Sequence, residues 1–193
     1  MAANSITVVR GHDHPMLLAN ALGSGVLESG ALLGYLPKLS KQLLGEPLRL
    51  PSVATWWLGE PAALDDAWSR LDKLIIKPLE RSIREPAVFG ADLSTRERAA
   101  LRERVAARPQ RYVAQEWVHV SQAPVLEQGT RPDRSEQLSS RTVGLRVFAV
   151  ATPSGYHVMP GGLTRVAASH DARVVSMQRG GGSKDTWVMS PGP

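Results

Sequence analysis

The feature that limits this chain most is the order in which β-type and helical runs succeed one another. A helical stretch comes first, followed by a β-branched run, Lys73-Leu-Ile-Ile-Lys77, closed by Pro78. A second helix, an alternating run from Tyr112 to Val118 and a hairpin complete the order. Strands and helices in this sequence predict an α+β fold with mostly antiparallel sheets and flanking helices. No internal repeat and no heptad run offers a solenoid or coiled coil instead.

Local signals place the elements. Residues 1–14 are polar and read as an irregular tail. Pro15 to Asn20 is a short apolar run halted at Gly23-Ser-Gly25. Leu27, Ala31, Leu32 and Tyr35 fall at helical spacing, and Pro37 is placed to open a second helix that Gly45 ends. Pro47 to Pro51 reads as loop and short strand, and Pro61 to Leu71 as a helix with Leu64, Trp68 and Leu71 on one face. Pro78 to Asp92 reads as a loop. Ser94-Thr-Arg-Glu97 is a capping box, in which the serine hydroxyl and the glutamate satisfy each other's free amides. The helix it opens carries Leu101 and Val105 inward and stops at Pro109. Gln122 to Ser140 is polar and predicts a mobile loop. Thr142 to Val150 predicts a strand, Tyr156 to Met159 its hairpin partner, and Arg173 to Met177 another short strand.

Composition excludes several chemistries. The absence of cysteine removes disulfides, thiolate zinc sites, iron–sulfur clusters and thiol nucleophiles. A chain of 193 residues buries enough surface to fold without such staples. Its longest apolar runs are too short to cross a bilayer, and the N-terminus lacks a basic segment followed by an apolar one. The expectation is a cytoplasmic protein with no membrane partner.

Charge is uneven: residues 1–93 sum to −1 and residues 94–193 to +6, with 23 basic and 18 acidic side chains overall. A basic half suits nucleic acid or nucleotide phosphates. Base-stacking proteins interleave aromatics with their basic residues, whereas Trp56, Trp57 and Trp68 lie in the neutral half. Nucleic acid is therefore not the expected partner.

Lys77 ends an apolar strand beside a loop holding Arg81 and Arg84, an arrangement that cradles phosphate oxygens or simply faces solvent. Gln115 and Glu116, with Val118 beyond them, can offer backbone groups and an apolar wall to a purine, or form a plain edge strand. Arg146 lies on a strand. Arg165 follows the paired glycines of Pro160-Gly-Gly-Leu-Thr, which permit a close backbone approach to a ligand or merely make a turn. Lys184 and Asp185, after Gly180-Gly-Gly-Ser, reach a ligand or each other. The five histidines show no metal-ligand spacing.

Eight segments together carry a resemblance. They are Asn20-Ala-Leu-Gly-Ser-Gly-Val-Leu-Glu-Ser29, Leu50-Pro-Ser-Val-Ala-Thr-Trp-Trp57, Ile76-Lys-Pro78, Val88-Phe-Gly-Ala-Asp-Leu-Ser94, Tyr112-Val-Ala-Gln-Glu116, Leu145-Arg-Val-Phe148, Met159-Pro-Gly-Gly-Leu-Thr-Arg-Val166 and Gly180-Gly-Gly-Ser-Lys-Asp-Thr-Trp187. In this order they resemble the circularly permuted ATP-grasp family, relatives of glutathionylspermidine synthetase. The resemblance implies ATP and Mg2+ as cofactors and a carboxylate–amine ligation through an acyl phosphate. It implies that Lys77 and Lys184 hold ATP, that Gln115, Glu116 and Val118 meet adenine, and that Arg146 and Arg165 stabilise the transferred phosphoryl group. It implies Asn20, Glu28 and Asp185 as metal ligands.

Family chains are longer, and their arginine–aspartate segment ahead of the asparagine motif has no counterpart here. The expectation is part of an ATP-grasp core, incomplete for catalysis, with a helical part at 15–72 and a nucleotide-binding part at 73–193. A non-catalytic binding or scaffold module, or one subunit completed by a second chain, is the alternative.

Overall fold

The computed structural model describes residues 7–10, 15–18, 23–79, 85–127, 137–169, 175 and 180–189. The chain divides after Val118 into two compact units. Every strand pairing among the described residues is antiparallel, as an α+β chain with short connections requires.

The first unit opens with a ribbon of β1 (Thr7–Arg10) and β2 (Pro15–Leu18). The irregular tail expected over 1–14 is corrected at Thr7–Arg10, because Thr7-Val-Val9 is a β-branched run that favours extended backbone, and the rest of 1–14 lies outside the described residues. A 3-10 turn, Ser24–Glu28, precedes helix α1 (Leu32–Leu44). Pro37 lies inside α1 and does not open a helix of its own. The carbonyl of Leu33 loses its donor there, and Leu33 is exposed enough for water to replace it.

Four strands make the main sheet: β3 (Thr55–Trp57), β4 (Leu74–Pro78), β5 (Val88–Phe89) and β6 (Tyr112–Glu116), in the spatial order β3-β6-β4-β5. The loop expected from Pro78 to Asp92 thus contains a strand, β5, paired to Ile75 and Ile76. Alternation gives the sheet two unlike faces. Leu74, Ile76 and Ala114 point into the core, against Ala67 of α2 (Pro61–Ser69) and Leu101 and Val105 of α3 (Thr95–Ala107). Thr55, Ile75, Lys77, Val113 and Gln115 share the opposite face, as the register requires. A register shift of one residue would exchange these sets, so the buried face fixes the position of Lys77.

The capping box forms as the sequence predicts. The Ser94 amide donates to Glu97 at 2.8 Å, and the Glu97 amide to the serine hydroxyl at 3.4 Å. Ser94→Ala is expected to cost about 1 kcal/mol in urea denaturation, the usual worth of a lost N-cap. An unchanged midpoint would mean that α3 is held by its packing alone.

The second unit is built on β7 (Gln122–Glu127) and β8 (Gln137–Arg146), followed by the hairpin β9 (Ala149–Thr152) and β10 (Gly155–Val158). Strands β11 (Gly162–Val166) and β12 (Gly182–Thr186) complete a sheet ordered β12-β11-β8-β7. The loop expected over Gln122 to Ser140 is corrected: its two ends pair from Gln122↔Thr142 to Glu127↔Gln137. Ala123 and Val125 are half-buried between exposed Gln122, Pro124 and Leu126. A ribbon with one solvated face needs only alternate apolar residues, so its composition looks like a loop. The strand expected at Arg173 to Met177 lies largely outside the described residues.

Candidate functional site

Lys77 is fourth of the five residues of β4, one step before Pro78, on the face turned away from the core. Its ammonium donates to Oε1 of Gln115 on the neighbouring strand. The two are diagonal neighbours, since Lys77 stands opposite Val113 and Gln115 opposite Ile75. Gln115 in turn donates through Nε2 to the Thr55 hydroxyl at 3.0 Å, and Thr55 donates to the Val53 carbonyl at 2.9 Å. One hydrogen-bonded chain thus crosses β4, β6 and β3.

The geometry leaves Lys77 a cation in want of an anion. It is half-buried, and among the described residues no carboxylate pairs with it. Burial disfavours the charged form and draws its pKa below the ordinary lysine range. Between that lowered value and the unfolded value, the unfolded chain holds more protons, so stability rises with pH across this window. Below the window the penalty is present in full. Lys77→Met is accordingly expected to be more stable than the parent at pH 7, with the gap closing as pH climbs toward the lysine range. Urea midpoints measured across that range check this, and a gap independent of pH would contradict it.

The end of β6 is pinned. The Glu116 amide donates to the Ala54 carbonyl at 2.9 Å, and the Trp117 amide to that of Lys73 at 3.0 Å. The Trp117 ring meets Phe89 edge-on, with centroids 6.0 Å apart. Val118 is the first residue past these bonds, and its amide has no partner among the described residues. Glu116 and Gln115 point to opposite faces of the sheet. The structure therefore brings Lys77 and Gln115 together, with Glu116 and Val118 immediately beyond them.

The remaining predicted residues fall elsewhere. Glu28 ends the exposed 3-10 turn of the first unit, and Asn20 lies outside the described residues. In the second unit Arg146 is on β8 and Arg165 on β11, opposite Leu163 and Gly144 respectively. Leu163 also faces Asp185, and Arg165 faces Ser183, so Arg146, Arg165 and Asp185 share one face of that sheet. Lys184 stands opposite Thr164 and points to the other face. The Nε of Arg165 is buried with no hydrogen-bond partner among the described residues.

Arg165, Lys184 and Asp185, which follow glycine clusters in the sequence, lie on strands β11 and β12. A side chain at Gly162 would meet the Arg146 carbonyl at 2.7 Å. The close approach that this glycine allows is to β8.

Thr55 is the residue that the sequence did not disclose. It is 7% exposed and sits in an apolar stretch, where a threonine resembles any β-branched strand residue. Gly34 of α1 closes it off, for a side chain there would lie 2.5 Å from the Thr55 carbonyl. Among the described residues no three acidic or histidine side chains gather as a metal cluster, and no helix is long and apolar enough to cross a membrane.

Comparison with known proteins gives the family of the chain. Residues 8–167 match the family described as circularly permuted ATP-grasp type 2. An uncharacterized protein of Mycobacterium tuberculosis is 36% identical over 178 residues, covering 91% of this chain and 31% of that protein. One from Synechocystis is 33% identical over 172 residues, covering 89% and 34%. A Frankia casuarinae protein, provisionally named as a glutamate–cysteine ligase, is 33% identical over 171 residues, covering 89% and 19%. This chain thus spans between 19% and 34% of the length of these relatives. With most of its length matched, the chain belongs to the circularly permuted ATP-grasp type 2 family.

Proposed function

We propose that this chain is the ATP-binding part of a ligase-type ATP-grasp protein that joins a carboxylate to an amine. The observation that carries this reading is Lys77, a half-buried ammonium bonded to an amide and to no carboxylate among the described residues. A partly desolvated cation without counter-charge is costly, and phosphate oxygens supply both the charge and the acceptors it lacks. The Val118 amide, past the pinned end of β6, offers a donor to the purine edge. Arg146 and Arg165 are assigned to phosphoryl oxygens, the latter with a buried Nε that has no partner among the described residues. Lys184, on the other face of its sheet, is assigned to a separate contact with the nucleotide.

In such a reaction a carboxylate oxygen attacks the γ-phosphorus and ADP leaves. The amine then attacks the acyl carbon and phosphate leaves. The cations of the chain lower the cost of charge spread over the transferred group. ATP fits the residues present. Of the magnesium set, Asn20 lies outside the described residues and Glu28 and Asp185 belong to different units, so no step is assigned to the metal. We further propose that this chain by itself binds ATP without ligation and is completed by a second chain or a further segment.

A nucleotide titration by thermal shift tests the assignment. A ligand of the native state at about 100 times its dissociation constant adds roughly 2.7 kcal/mol, so ATP should raise the melting temperature by several degrees. No shift at millimolar ATP would overturn it in favour of a non-catalytic scaffold module. Magnesium-dependent ADP release by the purified chain would overturn the second proposal alone.

A further inference from the structure

The chain from Val53 to Lys77 has a direction that its chemistry forces. A hydroxyl has one proton, and that of Thr55 goes to the Val53 carbonyl at 2.9 Å. Its oxygen can then only accept, so the amide of Gln115 must turn its nitrogen toward Thr55, at 3.0 Å. The carbonyl end of Gln115 is thereby left facing Lys77, which donates to it. Thr55 cannot exchange this role with water, because α1 lies over it at Gly34 and leaves it 7% exposed.

We infer that Thr55 is a positioning residue that holds the Lys77 ammonium through Gln115, and that the task of Gln115 is to aim the lysine, leaving the purine to the backbone beyond Glu116. It deepens the assignment of Lys77 as a phosphate ligand and rests on it. One ammonium proton is spent on Gln115 and two remain for phosphate oxygens. With one end on Lys77 and the other on Thr55, the orientation of the Gln115 amide is set by these two bonds rather than by a base, although one N–H and one lone pair remain. Of the side chains that β3, β4, β5 and β6 place on this face, Lys77 alone is ionisable. Helix α1, packed over β3, contributes Tyr35, Lys38 and Lys41 as its ionisable groups, and Tyr35 is engaged by Glu60.

The test uses the full chain labelled with ε-13C lysine, with the Lys77 signal assigned by its loss in Lys77→Arg. Thr55→Val keeps the shape of the side chain and removes the acceptor. It is expected to lower the titration midpoint of Lys77 further, since a hydrogen bond that favours the charged form is lost. ATP affinity should fall about three- to tenfold, the worth of one such bond. Thr55→Ser should restore both, and Gln115→Leu should reproduce both, with Thr55→Val adding nothing to it. A Lys77 titration unchanged in folded Thr55→Val, or a serine variant that fails to restore it, would overturn the inference. If Thr55→Val moves the lysine titration while the parent binds no ATP, the positioning role stands and the phosphate assignment falls.

Discussion

Lys77→Ala is expected to weaken ATP binding by about a hundredfold or more while leaving the protein folded. Hydrogen bonds to charged groups are worth roughly 1.5–3 kcal/mol each, and the substitution removes one charge and two proposed phosphate donors. The fold should survive because Lys77 points away from the core formed by Leu74, Ile76, Leu101 and Val105. Its removal also relieves the desolvation that lowers the lysine pKa. Calorimetric titration of mutant and parent checks the prediction, and equal affinities would sink the assignment of Lys77.

Gly90→Ala should have the largest effect on stability. Two 3-10 turns, Leu71–Lys73 and Gly90–Asp92, abut where β4 begins and β5 ends. A side chain at Gly90 would lie 1.9 Å from the Leu71 carbonyl oxygen and 2.7 Å from its carbon. The obstacle is backbone on both sides, so no rotamer change relieves it, and Leu71 itself is a core residue. Overpacking of this kind costs about 3 kcal/mol, enough to lower the melting temperature by ~10 °C in a chain of this size. A shift of only a degree or two would show that the two turns can slide apart freely.

The family and the core of the first unit were legible in the sequence because local and global signals agree there. Leu-Ile-Ile before a Lys-Pro end, the capping box at Ser94, and Leu101 and Val105 four residues apart each specify one structure. The second unit was harder, since its strands are polar on one face. The β7–β8 pairing hides behind glutamines and serines, and β12 is glycine-led with mostly exposed residues. Paired glycines suggest a turn, although Gly162 lies within a paired strand.

The candidate site was legible residue by residue but not as an arrangement. Lys77 and Gln115 are 38 positions apart, and only the register of β4 against β6 makes them neighbours. Thr55 carried no signal, because its role depends on which strand borders β6 and on which helix lies above. That Arg146, Arg165 and Asp185 share a face that Lys184 does not follows from pairing, which a count of residue types along the chain leaves undetermined.

On the proposed reading the Lys77 amine meets the phosphates of ATP. An adenosine polyphosphate carrying a pyridoxal aldehyde in place of the terminal phosphate condenses with an amine at that position, and borohydride fixes the adduct for peptide mass spectrometry. The chain has five lysines, so the label can choose. Modification concentrated on Lys77, and suppressed by ATP, is the expected result. Labelling spread over Lys38, Lys41, Lys73 and Lys184, or labelling of Lys77 that ATP does not suppress, would contradict it.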